Sequence, residues 1–295
     1  MCVWSGTGWF RVGRELVYVA VMDDIKAMGL YRNVDRIHAD LAAAGFGPDD
    51  PVTVDDLTAF DQLHYEGTAA VDDACAALGI DAGSRVLDVG AGFGGPARYV
   101  ADRTGAQVTA LELQPDIHET AQRLSERCGL AGQVAHVNGD VLTGVMANTG
   151  HSHLMSMLCF LHIPDRAALF NACAAAVEPN GHMFIDDYFA REPLTAEDQG
   201  ALDRHVFCSY LPDLATYVRD VEAGGFVDVD VVDKTADWTS FVADRYAAFS
   251  AAAASLAARY DAETVASLDS FYGTVADLFA TGRLGGVRLT ARRAV

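Results

Sequence analysis

The stretch that decides the fold is VLDVGAGFGG at residues 86–95. A short apolar strand runs here into a glycine-rich turn, and a helix is predicted to follow. Glycines let a ligand approach the backbone closely, and the free N–H groups of a first helical turn bind polar ligands. The pattern GxGxxG of dinucleotide sites is satisfied by Gly90, Gly92 and Gly95. The stretch therefore predicts a nucleotide-type ligand at this turn.

An acidic residue at the end of the same strand indicates which class of ligand binds. Asp88 stands two residues before Gly90, and its negative charge would repel the pyrophosphate of a dinucleotide. It suits a ligand with an ammonium or sulfonium group instead. Because the glycine pattern is met literally, an NAD(P)-dependent oxidoreductase stays an alternative, and so does a protein that binds its cofactor without turnover.

Two further acids follow the next two predicted strands. Glu112 ends the strand predicted over 107–113, and Asp140 follows the strand predicted over 133–138. A carboxylate at the first position can accept hydrogen bonds from ribose hydroxyls, and one at the second can accept from the exocyclic amine of adenine. Parallel strands bring their carboxyl ends to one edge of a sheet, so the three acids should converge on one crevice.

Strands and helices alternate on both sides of this stretch. The predicted strands are 84–89, 107–113, 133–138, 153–158, 182–188, 226–232 and 286–292. Helices are predicted between most of them, which is typical of a parallel sheet covered on both faces. We therefore predict an α/β fold, a doubly wound Rossmann-like sheet of seven strands whose last strand is antiparallel.

The segments outside this alternation divide the chain into parts. Residues 1–22 are interpreted as an N-terminal extension with freedom to move, and residues 23–70 as a helical segment that caps the sheet. Residues 71–295 form the sheet domain, with helical insertions at 190–212 and 239–281. Ligands of such sheets bind at the carboxyl ends of the strands, so we expect both insertions to cover a substrate there.

Charge and residue usage exclude several classes of function. The chain has 21 basic and 41 acidic residues, a net charge of −20, which repels nucleic acid and anionic membranes. Its 6 cysteines include no CxxC pair, and His151 and His153 lack an evident third ligand, so no metal site is predicted. No apolar run approaches the ~20 residues of a membrane span, and the N-terminus lacks the order of a signal peptide. We predict a cytoplasmic protein without nucleic-acid or membrane partners, and a homodimer is compatible with the sequence.

Three motifs together resemble those of the class I S-adenosylmethionine-dependent methyltransferases. VLDVGAGFGG is similar to their first motif, ALEL at 110–113 to the second and NGD at 138–140 to the third. Within that superfamily the chain most resembles sarcosine/dimethylglycine and tocopherol methyltransferases, through FLHIPD at 160–165 and EPNG at 178–181. The resemblance implies that the sheet domain is a methyltransferase domain, that S-adenosylmethionine is the cofactor, and that a small molecule accepts the methyl group.

The resemblance also implies a role for each residue of the crevice. Gly90, Ala91 and Gly92 would hold the methionine portion of the cofactor through their backbone groups. Asp88 would shape that loop or bind the amino group, and Glu112 would bind the ribose. Tyr65 would contact the methionine carboxylate, and Leu158 would lie near the transferred methyl. Leu113 would pack on the adenine face, and Asp140 and Val141 would flank the adenine edge.

Candidate acceptor-side residues lie after the fourth and fifth strands and in the insertions. His162 could orient or deprotonate an acceptor, since imidazole titrates near neutrality. The alternative for His162 is packing with a hydrogen bond to the backbone. The predicted substrate contacts are Asp187, Tyr188, Tyr210 and Trp238.

The motifs leave the acceptor atom open, and the resemblance favours an amine nitrogen. Where sarcosine/dimethylglycine enzymes tend to have a polar or acidic residue, this chain has Met157, Leu158 and Cys159. An ammonium group would then lack a carboxylate unless Asp186 or Asp187 compensates. A thioether or thiol sulfur, a ring nitrogen, and oxygen or carbon are the alternatives. In-line placement supplies most of the catalysis of methyl transfer, so a base is needed only where the attacking atom carries a proton.

Overall fold

The computed structural model describes residues 9–12, 15–18 and 34–295. Trp9–Val12 (β1) and Glu15–Tyr18 (β2) pair as antiparallel strands. The first helix, α1, runs over Asp35–Ala43. Apolar spacing predicts a helix over 23–44, and α1 confirms its second half, while the first half of that prediction lies outside the described residues.

A seven-stranded sheet forms the centre of the fold. Its strands are Arg85–Val89 (β3), Gln107–Glu112 (β4), Val134–Asn138 (β5), His151–Met157 (β6), Val177–Ala190 (β7), Phe226–Asp233 (β8) and Leu284–Arg293 (β9). The order across the sheet is β5-β4-β3-β6-β7-β9-β8, and β9 runs antiparallel to both of its neighbours. The predicted doubly wound α/β sheet with an antiparallel last strand is confirmed.

Helices cover both faces of this sheet. They are Val54–Asp61 (α2), Thr68–Leu78 (α3), Gly95–Thr104 (α4), Pro115–Arg127 (α5), Arg166–Ala176 (α6), Ala196–Ala201 (α7), Leu214–Ala223 (α8), Thr235–Ala251 (α9), Ala253–Arg259 (α10) and Ala262–Ala280 (α11). Successive side chains of a strand point to opposite faces. In β3, Val86 packs in a core with α3 and α4, and Leu87 packs in a second core with α6 and α8. Within the described ranges, no helix has the length and apolar character needed to cross a membrane.

The two insertions pack together against the carboxyl-terminal part of β7. The first consists of α7 and a π-helical turn over Leu202–Val206. The second consists of α9 to α11 and begins at Thr235, four residues before the predicted start. This earlier start is stabilised by Asp233, whose carboxylate accepts the N–H of Thr235 at 2.8 Å. Side chains of both insertions form a third core around Tyr188, so the insertions are one layer rather than two separate flaps.

A buried ion pair joins the N-terminal cap to the sheet domain. Arg98 of α4 donates to Asp61 at 2.9 Å, and neither side chain is more than 1% exposed. Arg98 also donates to the carbonyl oxygens of Phe93 and Ala121. A buried charge without a partner costs several kcal/mol, so this pair holds the end of the cap beside the glycine turn.

Candidate functional site

The glycine turn between β3 and α4 packs closely on the segment that follows β6. Gly90 and Gly92 have φ angles of 77° and 53°, in the left-handed region that glycine adopts without strain. A Cβ atom at Gly90 would lie 2.2 Å from Sγ of Cys159. Glycine is therefore required at position 90 by both conformation and space.

The carboxylate of Glu112 ties this turn to the end of β4. Its Oε2 accepts the N–H of Gly92 at 3.0 Å, and its Oε1 accepts the N–H of Gln114 at 2.9 Å. Burial raises the pKa of Glu112, against the lowering effect of these two donors. Each carboxylate oxygen has a second lone pair, so Glu112 can accept from ligand hydroxyls while it holds the turn.

Asp88 is a buried acid without a counter-ion. The side chain is 2% exposed, and its Oδ2 has no hydrogen-bond partner among the described residues. Burial, together with the nearby charge of Glu112, raises the pKa of Asp88 to about 7. A carboxylate in this state is stabilised by a cation, so the position favours a positively charged ligand group.

The third acid lies at the end of β5. Asp140 accepts the N–H of Leu142 at 2.9 Å and so begins a 3₁₀ turn over Val141–Thr143. One carboxylate oxygen of Asp140 is occupied by this cap, and the other is available to a ligand amine. The turn buries Val141, which supplies an apolar contact next to the acid.

Asn138 aligns the ends of β4 and β5, a role that the sequence analysis missed. Its side-chain amide donates to the carbonyl oxygens of Glu112 (2.9 Å) and Leu113 (3.0 Å). The strands β3, β4 and β5 are neighbours in the sheet. The structure therefore brings the predicted crevice residues Asp88, Glu112 and Asp140 to one edge, with Leu113 half-buried beside them.

A model of the methyltransferase domain family matches residues 86–181. The matched range contains the glycine turn, the ends of β3, β4 and β5 and the three acids. The chain therefore contains a methyltransferase domain, of the class I S-adenosylmethionine-dependent kind that its motifs resemble.

Curated relatives of this chain name different acceptors. The chain is 30% identical over 167 residues to a probable chloroplastic tocopherol O-methyltransferase of Oryza sativa subsp. japonica, covering 54% of this chain and 45% of that protein. It is 31% identical over 160 residues to phosphoethanolamine N-methyltransferase 1 of Triticum aestivum, covering 54% of this chain and 31% of that protein. The chain spans less than half the length of these two relatives.

A solved structure has the same fold, and the likeness extends over nearly all of the solved chain. It is a protein of Galdieria sulphuraria assigned provisionally as a sarcosine dimethylglycine methyltransferase, with a TM-score of 0.71 and 19% identity. The superposition covers 88% of this chain and 98% of the other. At this identity the likeness establishes the fold, including the insertions, and the acceptor has to be argued from the site.

The crevice fits S-adenosylmethionine, the cofactor that the three sequence motifs imply. The carboxylate oxygen of Asp88 that has no partner among the described residues would be stabilised by a positively charged group, and the adjoining turn is half-buried at Gly90 and Gly92. Glu112 and Asp140 each keep an acceptor lone pair for the ribose and the adenine amine.

A cleft adjoins this crevice. Its cavity volume is about 50 Å3, and the space around this cavity is partly open to solvent. Its carbon-rich walls are formed by Leu63, Tyr65, Leu158, Leu161, Tyr188, Val206, Leu268, Phe271 and Tyr272. The other lining residues are Arg36, His162 and Arg245, and no acidic residue of the described chain is among them. Since Leu63 lies 3.4 Å from the place of a Cβ at Gly92, the cleft opens beside the glycine turn.

Two tyrosines in the cleft wall are hydrogen-bonded to each other. The hydroxyl groups of Tyr65 and Tyr188 form this bond, and both side chains are buried. Burial raises the pKa of Tyr65 to about 12, so the pair is uncharged at neutral pH. The sequence analysis assigned Tyr65 to the cofactor carboxylate and Tyr188 to the acceptor. The structure places both hydroxyls together on the cleft side.

His162 lines the cleft in its neutral form. Its Nδ1 lies 3.1 Å from the carbonyl oxygen of Phe207, which can only accept, so Nδ1 carries the proton. Burial lowers the pKa of His162 to about 4. The lone pair of Nε2 has no protein partner among the described residues, and it is available to take a proton.

Leu158 connects the cleft to the sheet. It has a φ angle of 54°, which is unusual for a residue with a side chain and marks a site of backbone strain. Its N–H donates to the carbonyl oxygen of Asp186 at 2.8 Å, which holds it in this conformation. The side chain lines the cleft directly before Cys159, the residue that packs on Gly90.

Two acids near the end of β7, of which Asp187 was predicted to contact the acceptor, are neutralised elsewhere. Asp187 is fully buried, accepts from the hydroxyl of Tyr217 at 2.8 Å and pairs with Arg166 at 3.5 Å. Asp186 forms two hydrogen bonds of 2.8 Å with the guanidinium of Arg288. Neither lines the cleft, so the prediction that Asp187 contacts substrate is corrected: its charge balances a buried arginine.

Two predicted aromatic contacts also lie away from the cleft lining. Trp238 is 1% exposed and packs edge-on against Tyr65, with ring centroids 5.1 Å apart. A Cβ at Gly286 would meet the indole at 2.2 Å, so the ring fills a notch in β9 behind the cleft. Tyr210 is 39% exposed on the outside of the insertion layer. Trp238 supports the cleft wall, and Tyr210 does not line the cleft.

The arginines of the cleft were not singled out from the sequence. Arg36 lies on α1 and Arg245 on α9, and each is half-buried. An arginine on a helix with many polar residues is ordinarily solvated, so spacing along the chain contains no signal for either. In the described part of the chain, no group of three or more histidine, cysteine or acidic residues could hold a metal ion.

Proposed function

We propose that the protein transfers a methyl group from S-adenosylmethionine to a small molecule bound in the cleft. The observation that supports this most is the contact between the two sites. Leu63 touches the glycine turn, Leu158 adjoins the residue packed on Gly90, and both line the cleft. A ligand in the cleft therefore lies next to a cofactor in the crevice, which is the proximity that methyl transfer requires.

In this proposal the crevice residues bind the cofactor as their positions suggest. Asp88 pairs with its cationic groups, the turn from Gly90 to Gly92 holds the methionine portion, and Glu112 accepts from the ribose. Asp140, Leu113 and Val141 surround the adenine. When bound, S-adenosylmethionine supplies an electrophilic methyl group on a sulfonium sulfur.

His162 is proposed as the base for acceptors that carry a proton on the attacking atom. Its Nδ1–H is committed to the carbonyl oxygen of Phe207, so Nε2 is the free acceptor. A neutral imidazole in the cleft can receive a proton from an amine, a ring nitrogen or a hydroxyl as the atom is methylated. A thioether sulfur has no proton to lose and would make no use of this base.

The acceptor atom is proposed to be a nitrogen or an oxygen on an uncharged group. The amine nitrogen favoured by the sequence is compatible with this only in a neutral form, because no acid among the described lining residues faces the cleft and two arginines do. Relatives with O- and N-methyltransferase names both match the chain. Anilines, ring nitrogens and phenols are therefore preferred over aliphatic ammonium ions.

The partner and compartment predictions from the sequence stand as proposals beside this one. The net charge of −20 supports a free small molecule rather than nucleic acid as the partner. A cytoplasmic location and a homodimer are checked by fractionation and by light scattering of the purified chain.

The test is methyl transfer from labelled S-adenosylmethionine to a panel of phenols, anilines, imidazoles, thioethers, sarcosine and dimethylglycine. We expect binding of S-adenosylhomocysteine by calorimetry and turnover of at least one phenol, aniline or imidazole. Absence of cofactor binding would refute the proposed function. Turnover confined to thioethers would refute the part assigned to His162.

A further inference from the structure

We infer that the acceptor has an apolar body with an anionic group, a carboxylate or a phosphate, and that Arg245 binds this anion. The inference rests on the proposed function, because it concerns the cleft beside the cofactor crevice. It defines the substrate by charge and shape.

Aromatic rings hold the guanidinium of Arg245 in the cleft wall. Its Cζ lies 5.0 Å from the ring centroid of Tyr272 and 6.0 Å from those of Tyr65 and Phe241. Such cation–π contacts orient an arginine but leave its positive charge in place. Arg245 is therefore fixed in position, and its charge is not cancelled by its neighbours.

The buried arginines of the sheet domain differ from the half-buried Arg245 in having acidic partners. The arginines buried in the sheet domain pair with buried carboxylates, as Arg98–Asp61, Arg166–Asp187 and Arg288–Asp186. Within the described residues no carboxylate pairs with Arg245, although the chain has 41 acidic residues for 21 basic ones. The charge of Arg245 therefore has no acidic partner among the described residues, and an anionic ligand would supply one.

A second arginine lines the same cleft. Arg36 reaches it from α1, on the N-terminal cap, and it too has no acidic partner among the described residues. The planar guanidinium forms two parallel hydrogen bonds to a carboxylate or a phosphate. Two such groups and no acid make the cleft attractive to an anion and repellent to an ammonium ion.

The rest of the lining determines the body of the ligand. Leucine, valine, phenylalanine and tyrosine side chains form nine of the twelve lining positions, and apolar walls contribute binding free energy in proportion to the apolar area they cover. A small inorganic anion would leave these apolar side chains in contact with water. An aromatic or branched acid would fill them, with its anion at Arg245 and its remainder extending toward Leu158 and His162.

The test compares probes that differ in charge, with the full chain saturated with S-adenosylhomocysteine. The first pair is 4-hydroxybenzoate and 4-hydroxybenzamide, the second is benzylphosphonate and benzyl alcohol, and tyramine is the cationic probe. Calorimetry should show each anion binding at least about tenfold more tightly than its neutral partner, and tyramine binding no more tightly than the neutral probes. A preference for the carboxylate or for the phosphonate identifies which anion the cleft recognises.

The variants assign the preference to a residue. Arg245→Gln should remove the difference between anion and neutral partner, and Arg36→Gln should reduce it. Arg219→Gln is the matched control, because Arg219 is exposed on α8 and does not line the cleft. Arg245→Lys, which keeps the charge without the fork, should give an intermediate ratio and serves as the second test if Arg245→Gln lowers cofactor binding through misfolding.

Three outcomes would overturn the inference while the proposed function stands. They are equal affinity for anion and neutral partner, failure of both anions to bind at millimolar concentration, and an unchanged ratio in Arg245→Gln together with Arg245→Lys. In each of these cases S-adenosylhomocysteine still binds. Loss of cofactor binding and methyl transfer in the wild type would instead refute the proposed function itself.

Discussion

The cofactor crevice and the acceptor cleft adjoin each other but have opposite charge. Carboxylates surround the crevice, at Asp88, Glu112 and Asp140. The cleft has two arginines, a neutral histidine and no acid among the described lining residues. Opposite charges in neighbouring sites would direct the proposed cationic cofactor and the proposed anionic acceptor to separate places. The comparison shows that one acidic chain can form two adjoining sites with different charge.

The two sites also differ in how the chain builds them. The crevice residues come from the ends of three neighbouring strands within positions 88–140. The cleft residues come from the cap, the ends of β6 and β7, and both insertions, between Arg36 and Tyr272. The crevice therefore depends on regular strand order, and the cleft depends on how distant helices pack.

The largest effect is expected from removing the base of the cleft. His162→Ala should lower kcat/KM by about 10²- to 10⁴-fold for acceptors that lose a proton, with binding of S-adenosylhomocysteine unchanged. His182→Ala, an exposed histidine on β7, is the control. An equal loss with a thioether acceptor would make His162 a positioning residue.

The acid side of the pH profile checks the same residue. Because burial lowers the pKa of His162 to about 4, its imidazole is already neutral at pH 6. The rate should therefore not fall between pH 8 and pH 6 through protonation of this group, and a loss should begin only near pH 5. A fall centred on pH 6.5 that persists in Asp88→Asn at saturating cofactor would show that His162 titrates as an exposed histidine does.

The next largest effect is expected from breaking the buried ion pair that joins the N-terminal cap to the sheet domain. Arg98→Met should lower the free energy of unfolding by about 3–5 kcal/mol, because Asp61 is left as an unpaired buried charge. Arg103→Met is the control: its pair with Asp55 is exposed, at 42% and 71%, and should cost less than about 1 kcal/mol. Urea unfolding measures both, and equal losses would contradict the distinction.

A mutation in the crevice should affect the cofactor more than the acceptor. Glu112→Ala should weaken binding of S-adenosylhomocysteine by about 1.5–3 kcal/mol, since hydrogen bonds to a charged group are lost. Glu119→Ala on the exposed side of α5 is the control. Calorimetry with no change in Glu112→Ala, or with an equal loss of acceptor affinity, would contradict the separation of the two sites.

The smallest expected effect is a pH dependence of cofactor affinity. Burial raises the pKa of Asp88 to about 7, above its unfolded value of about 3.9, so the folded apoprotein holds a proton that the unfolded chain has released. Binding a cation requires the ionised form, so affinity for S-adenosylmethionine should rise about tenfold or more between pH 5.5 and pH 7.5. Asp88→Asn should remove most of this slope, and the same slope in the variant would exclude Asp88 as its source.

The ionised carboxylate of Asp88 also destabilises the folded apoprotein, and a bound cation would offset this effect. Between about pH 4 and pH 7 the folded state binds more protons at this position than the unfolded state, so its contribution to stability falls as pH rises through 7. We expect Asp88→Asn to melt higher than the wild type at pH 8 without cofactor. A lower melting temperature would show that the carboxylate is stabilised in the apoprotein.

Much of the fold follows from local sequence. The strand bounds of β3 to β5 agree with the predicted ones to within one residue, because alternation of apolar residues and glycine stops are properties of neighbouring residues. The insertions were placed approximately from the sequence. The start of α9 at Thr235 was missed, because it depends on a hydrogen bond to Asp233 that composition does not reveal.

The candidate site divides along the same line. Asp88 and Asp187 are both acids near the ends of predicted strands, yet the structure gives Asp187 an arginine and a tyrosine and leaves one oxygen of Asp88 without a partner. Arg166, which neutralises Asp187, lies on α6. The separation of the two residues along the chain does not predict that they pair. Trp238 was assigned to the acceptor for its ring, and the notch at Gly286 buries it behind the cleft.

The sequence by itself determined the parallel sheet, the glycine turn and the edge at which Asp88, Glu112 and Asp140 meet, because strand order and motif spacing specify them. Only the tertiary structure decided which charges are cancelled and which face a ligand. It paired Asp186 and Asp187 with arginines and left Arg245 beside aromatic rings. The physical reason is that charges interact according to their distance in space and the water around them, and neither quantity can be obtained from positions along the chain.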